Sequence, residues 1–148
     1  MVNPLTDYQY KEIRKNAEAI YAKIGEVWCA ALGDYVTFNS AGFRHLIRRD
    51  RRWRPHNDQK RRFLILPYAE SIITAANVKV ICRVGENASG KVIKFWAITG
   101  LRDCRKITVI IRQVGAGKKH FFSIYDQKTA RQAKRSLDMP ATGGPIGG

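Results

Sequence analysis

Two periodicities divide the chain. Between Thr6 and Leu32 apolar side chains recur three or four positions apart, at Tyr10, Ile13, Ala17, Ile20, Ile24, Val27, Trp28 and Ala31. Lys11, Arg14, Lys15, Glu18 and Lys23 fall on the other side. That spacing predicts an amphipathic helix, opened by Thr6 or Asp7 and closed by Gly33. A short extended piece follows at residues 35–38. Asn39 or Ser40 then caps a helix whose buried stripe is Phe43, Leu46 and Ile47. Another helix is expected over residues 58–76, with Ile65, Tyr68, Ala69, Ile72, Ile73 and Ala76 on one face and Pro67 kinking its first half.

From Asn77 onward the period is two. Strands are expected at residues 78–84, 91–99, 105–114 and 118–125, separated by glycine-bearing turns at 85–90, 100–103 and 115–117. Links this short imply an antiparallel meander. Helices followed by strands is an α+β order: N-terminal helices packed on one face of a four-stranded antiparallel sheet. A short basic helix is expected near residues 127–137. The chain thus divides into an N-terminal helical extension (1–34), an α+β domain (35–137) and a flexible Gly/Pro tail (138–148).

Aligning the strands by their apolar rows sorts the side chains between two faces. Val78, Val80, Cys82, Val84, Ile93, Phe95, Ala97, Ile107, Val109, Ile111, Phe122 and Ile124 are expected to face the helices. The other face then carries Lys79, Arg83, Lys94, Trp96, Thr108, Arg112, Phe121, Ser123 and Tyr125. Cations interleaved with aromatic planes can pair phosphates and stack bases together. The competing expectation is that Trp96 and Phe121 are covered by another element.

Charge strengthens the first reading. The 148 residues hold 27 Lys+Arg against 12 Asp+Glu, a formal charge of +15. Such a field favours polyanions, and the scattered aromatics make nucleic acid the first partner to consider. A membrane ranks lower, because the sequence has no long apolar run and no basic-then-apolar leader. A cytoplasmic location is expected. Cys29, Cys82 and Cys104 are odd in number and lack metal-ligand spacing, so they read as buried apolar fillers of a reduced protein.

RNA can be cut without a metal, because its own 2′-hydroxyl is a nucleophile. The protein then supplies a base, an acid and fixed positive charge. His45 is the candidate proton carrier. Continued as a helix, the chain would align His45 with Arg48, Arg49 and Arg52 on one face. Arg112 could grip a phosphate with two prongs, while Ser123 and Tyr125 orient the scissile group. Lys94, Trp96, Thr108 and Phe121 would complete an RNA-binding surface. A lone helical histidine among arginines also fits a plain solvated face. His120 and His56 are its rivals: strict alternation turns His120 toward the core face unless a bulge re-aims it, and His56 lies in a basic loop. The run Gly115-Ala116-Gly117-Lys118 lacks phosphate-loop spacing and reads as a hairpin turn.

The basic helix Phe43-Arg44-His45-Leu46-Ile47-Arg48-Arg49, the second helix, the four strands and the closing Ser123-Ile124-Tyr125 resemble the barnase, EndoU, colicin and RelE superfamily of small RNases, in particular its phage-associated and colicin D-like branches. The resemblance spans residues 35–126. It implies a toxin-like, metal-independent endoribonuclease with no cofactor, acting on tRNA or ribosome-associated RNA and leaving a 2′,3′-cyclic phosphate. It casts His45 as acid or base, Arg112 as phosphate ligand and Ser123 with Tyr125 as the last-strand pair. An acidic antitoxin or immunity protein would be the natural inhibitor. No residue corresponds to the catalytic glutamate of barnase: Glu70 falls on a helix and Glu86 in a turn. The alternative from another class is a non-catalytic RNA- or DNA-binding module using the same sheet face.

Overall fold

In the computed structural model, which describes residues 7–49 and 51–127, Gly25 ends the first helix sooner than the apolar spacing predicts. Helix α1 (Asp7–Ile24) buries Tyr10, Ala17 and Tyr21. Gly25 then takes φ +67°, a left-handed turn that suits glycine. Beyond it Glu26–Cys29 form a strand, β1, with Val27 and Cys29 inward and Glu26 and Trp28 outward. Over so few residues Val27 and Trp28 satisfy either period, and the glycine decides between them. β1 turns back antiparallel onto β2 (Asp34–Thr37), so the expected boundary at residue 34 falls inside a hairpin.

Asn39 caps helix α2 (Ser40–Ile47), its side-chain oxygen accepting from the Gly42 amide at 3.0 Å. Arg48 adopts extended angles and stops the helix. Arg48–Arg49 (β3) and Arg52–Trp53 (β4) instead pair as a small hairpin. The helix that would align His45 with Arg48, Arg49 and Arg52 therefore stops at Ile47, and of the three arginines Arg48 alone lines a depression with His45. Helix α3 (His56–Ile65) runs into a 3-10 turn, Leu66–Tyr68, that contains Pro67, and then into α4 (Ala69–Thr74). The interruption lies at the expected proline.

The four expected strands are present as β5 (Lys79–Glu86), β6 (Val92–Arg102), β7 (Arg105–Val114) and β8 (His120–Gln127). They form an antiparallel meander within a larger, mixed sheet of six strands in the order β1-β2-β8-β7-β6-β5. β2 joins β8 in parallel, with Thr37 opposite His120. The fold is α+β, and its sheet is extended by the N-terminal hairpin. β6 and β7 meet at a tight turn in which Asp103 and Cys104 both have positive φ. Cys29 is buried, whereas Cys82 and Cys104 are exposed, so two of the three are not core fillers. The expected helix near 127–137, apart from Gln127, and the tail at 138–148 lie outside the described residues.

The helices pack on the sheet face that carries Ile98, Ile107, Val109, Ile111, Phe121 and Ile124, all fully buried. Leu46, Phe63, Leu66, Ile72 and Ile73 meet them from the helical side. Two helices also approach β8 closely. Arg62 of α3 donates to the Ile124 carbonyl at 2.9 Å. A side chain at Gly42 of α2 would come within 2.5 Å of the Phe121 carbonyl and of the Tyr21 hydroxyl, so only glycine lets α2 lie this close.

Candidate functional site

Strand β8 changes phase in its first half. Ile110 pairs with Ser123 and the next residue, Ile111, pairs with Phe121, which leaves Phe122 as an extra residue. A bulge of this kind re-aims the side chains before it. Phe121 turns into the core, 4.8 Å from the stacked ring of Phe38. His120 comes opposite Arg112. Both results correct the expectation from strict alternation, which set Phe121 beside Arg112 and His120 toward the core.

Strand β6 is also turned over relative to expectation. Its register puts Trp96 beside Ile111 and Ile98 beside Val109, on the helical side, while Phe95 lies beside Arg112. Both rows of this strand are apolar, so alternation alone could not orient it. Trp96 packs against the core, and Lys94, two residues away on the same side, is exposed beyond the helices. Neither shares the face of Arg112.

That face instead assembles a cluster from four strands and helix α2. Arg83, Phe95, Arg112 and His120 form one cross-strand row. The Arg112 guanidinium lies over two rings, 5.9 Å from Phe95 and 5.6 Å from Phe122. The rings meet edge to face at 5.3 Å. From α2, the His45 ring lies 4.0 Å from that of Phe122. Gly42 permits this approach, and Arg54 fixes the end of the helix by donating from Nε to the His45 carbonyl at 2.9 Å.

The charge balance within the cluster is one-sided. Among the described residues Arg112 has no ion pair, and its Nε is buried without a hydrogen-bond partner. Burial, then Arg112, Arg54, His120 and Arg44, hold the His45 pKa below its usual value. Burial also lowers His120, with Arg112 adding to the effect and the Lys118 carbonyl opposing it. Two imidazoles biased toward the neutral form thus flank a cation whose donors are not all used, an arrangement an anion would complete. No group of carboxylate, thiol and imidazole ligands able to hold a metal ion occurs among the described residues.

The other expected site residues are placed elsewhere. Ser123 is fully buried, and its hydroxyl accepts from Arg62 Nη1 at 2.8 Å. Arg62 in turn shares Asp58 with Arg54, at 3.3 and 3.4 Å. Tyr125 is on the Arg112 face but two rows along, opposite Thr108. Thr108 is buried and bonded to Thr99 at 2.8 Å. His56 stacks on Tyr10 at 3.9 Å. Arg48 covers Trp53, 4.9 Å from its ring, while Arg49 and Arg52 are exposed in the same hairpin. Phe95 and Phe122, assigned to the core by alternation, are the aromatic floor of the cluster. The tandem Phe121-Phe122 before a polar residue is the one sequence signal that could have suggested a bulge.

Comparison with protein-family models, with curated proteins and with solved structures returned no match.

Proposed function

We propose that the His45–Arg112–His120 cluster is the active site of a metal-independent endoribonuclease. The observation that carries this reading is the pairing of two histidines, from different elements, around an arginine that has aromatic neighbours but, among the described residues, no carboxylate. A phosphodiester bound at Arg112 brings negative charge to both rings and raises their affinity for protons. One imidazole then takes the 2′-hydroxyl proton. The other, protonated, donates to the departing 5′-oxygen, while Arg112 balances charge on the phosphorane. The product is a 2′,3′-cyclic phosphate. Phe95 and Phe122 hold Arg112 in place and can contact a base.

The helix-then-meander order and a basic, histidine-bearing helix beside the last strand support the resemblance to the barnase, EndoU, colicin and RelE superfamily. A surface of this charge suits an acidic inhibitor protein, and tRNA or ribosome-bound RNA are the substrates to try first.

The test is incubation with total RNA in EDTA, with analysis of the fragment ends. Cyclic phosphate ends are expected, and a 2′-deoxy substitution at the cut should protect the strand. His45→Ala and His120→Ala should each lower cleavage about 10²–10⁴-fold while RNA binding persists. Tight binding with no cutting of any RNA, tRNA and translating ribosomes included, would instead favour the non-catalytic binding module.

A further inference from the structure

Beside the histidine cluster lies a second basic surface that the proposed chemistry does not use. The β3–β4 hairpin presents Trp53, 63% exposed, with the Arg48 guanidinium 4.9 Å from its ring. Arg48 Nη2 donates to the Arg51 carbonyl at 3.3 Å, which holds it across the hairpin, and its Nε is buried without a hydrogen-bond partner among the described residues. Next to Trp53 is a depression of about 700 Å³ lined by Arg49, Arg51, Arg52, Arg54, Pro55 and Asp58. Asp58, the one carboxylate among its described lining residues, is already engaged by Arg54 and Arg62. Arg49, Arg51 and Arg52 form no ion pair among the described residues. An exposed tryptophan backed by a cation, beside three arginines without an ion pair among the described residues, has the composition of a base-stacking, phosphate-binding site.

The surface is continuous with the cluster. A smaller depression of about 320 Å³ is lined by Ala41, Arg44, His45 and Arg48. His45 of the candidate site and Arg48, which covers Trp53, thus line one depression. We propose that the β3–β4 hairpin is a nucleotide subsite in which Trp53 stacks an unpaired base of the RNA strand whose phosphate lies at Arg112, with Arg44 and Arg48 following the backbone between them. This rests on the RNA reading of the cluster and sharpens it: the substrate is single-stranded RNA or a loop, because a paired base cannot leave its stack at no cost to reach the indole.

The test uses the full chain and a fluorescein-labelled oligouridylate with 2′-O-methyl riboses, which binds but cannot be cut. Trp53→Ala should weaken this binding by roughly 5- to 100-fold, the range for one stacked base. Trp53→Phe should restore most of it. The loss should vanish for a blunt RNA duplex and for an oligonucleotide of abasic residues, which offer no free base. An equal loss on all three probes would make Trp53 a mere support for the arginines and overturn the proposal, as would unchanged affinity for the single strand. No binding of the single strand by the wild type would also overturn it. Cleavage is scored separately on unmodified RNA. Cutting with no Trp53 effect on binding sinks the subsite alone, and a Trp53-dependent complex that never cuts sinks the ribonuclease reading alone.

Discussion

Arg62 and Arg112 both reach strand β8 and are used in opposite ways. Arg62 is buried, and its donors meet acceptors fixed in the fold: the Ser123 hydroxyl, the Ile124 carbonyl and the Asp58 carboxylate. Arg54 shares that carboxylate, and burial with Arg62 nearby pushes its pKa down to about 10, which leaves it charged at neutral pH. Arg112 has two aromatic rings and a buried, unpartnered Nε. A desolvated cation whose acceptors belong to the protein stabilises the fold; one whose donors are incompletely used is ready for an outside anion. In a chain of charge +15 the exposed arginines say little, and it is this contrast among the less exposed ones that separates support from site.

The contrast is tested most strongly by removing each arginine in turn. Arg62→Ala should destabilise the protein by about 3–5 kcal/mol, the usual cost of leaving one side of a buried ion pair uncompensated. Arg112→Ala should leave stability within about 1 kcal/mol of wild type in urea unfolding, because no internal acceptor is orphaned. It should nevertheless reduce RNA turnover by about 10²–10³-fold, as for loss of one preorganised donor to a transition-state oxyanion. Equal stability losses would erase the distinction.

A smaller effect is expected at Ser123. Ser123→Ala removes one acceptor of Arg62 and should cost about 1–3 kcal/mol. Cleavage by the folded protein should be unchanged, since the hydroxyl is fully buried. A loss of turnover without a loss of stability would return Ser123 to the catalytic set.

The smallest effect is electrostatic. His45 and His120 have folded-state pKa values below the ordinary value of 6.5. The stability linked to their neutral forms is therefore complete above the unfolded pKa and is lost as pH falls through the folded values. Arg112 contributes to both depressions. In Arg112→Ala both imidazole titrations, followed by NMR, should move up, and the loss of stability between neutral and mildly acidic pH should shrink. Titrations that stay in place would mean that burial alone sets them.

Much of the scaffold was legible because it is written locally. The Asn39 cap, the break at Pro67 and the four strands of the meander each follow from a few adjacent residues. The site was only half legible. His45 and Arg112 stand out by residue type, but their meeting depends on close approach at Gly42, which no short window of sequence reveals. Ser123 resembled a surface hydroxyl because its partner, Arg62, is 61 residues away. The N-terminal hairpin was hidden by an apolar spacing that helix and strand share, and Trp96 by a strand with apolar residues on both sides.

The unpaired Phe122 carries a consequence for how such a protein can change over time. Most substitutions in β8 alter one face of the sheet and leave the other intact. Loss of Phe122 alone would do the same: with Ser123 still opposite Ile110, Phe121 stays opposite Ile111 and His120 opposite Arg112 in an unbroken ladder, and only the ring beside His45 and Arg112 is removed. The core side of the strand would keep its packing, and the other side would lose one aromatic contact. For this strand, then, the extra residue adds a side chain to one face of the sheet without changing which residues the other face buries.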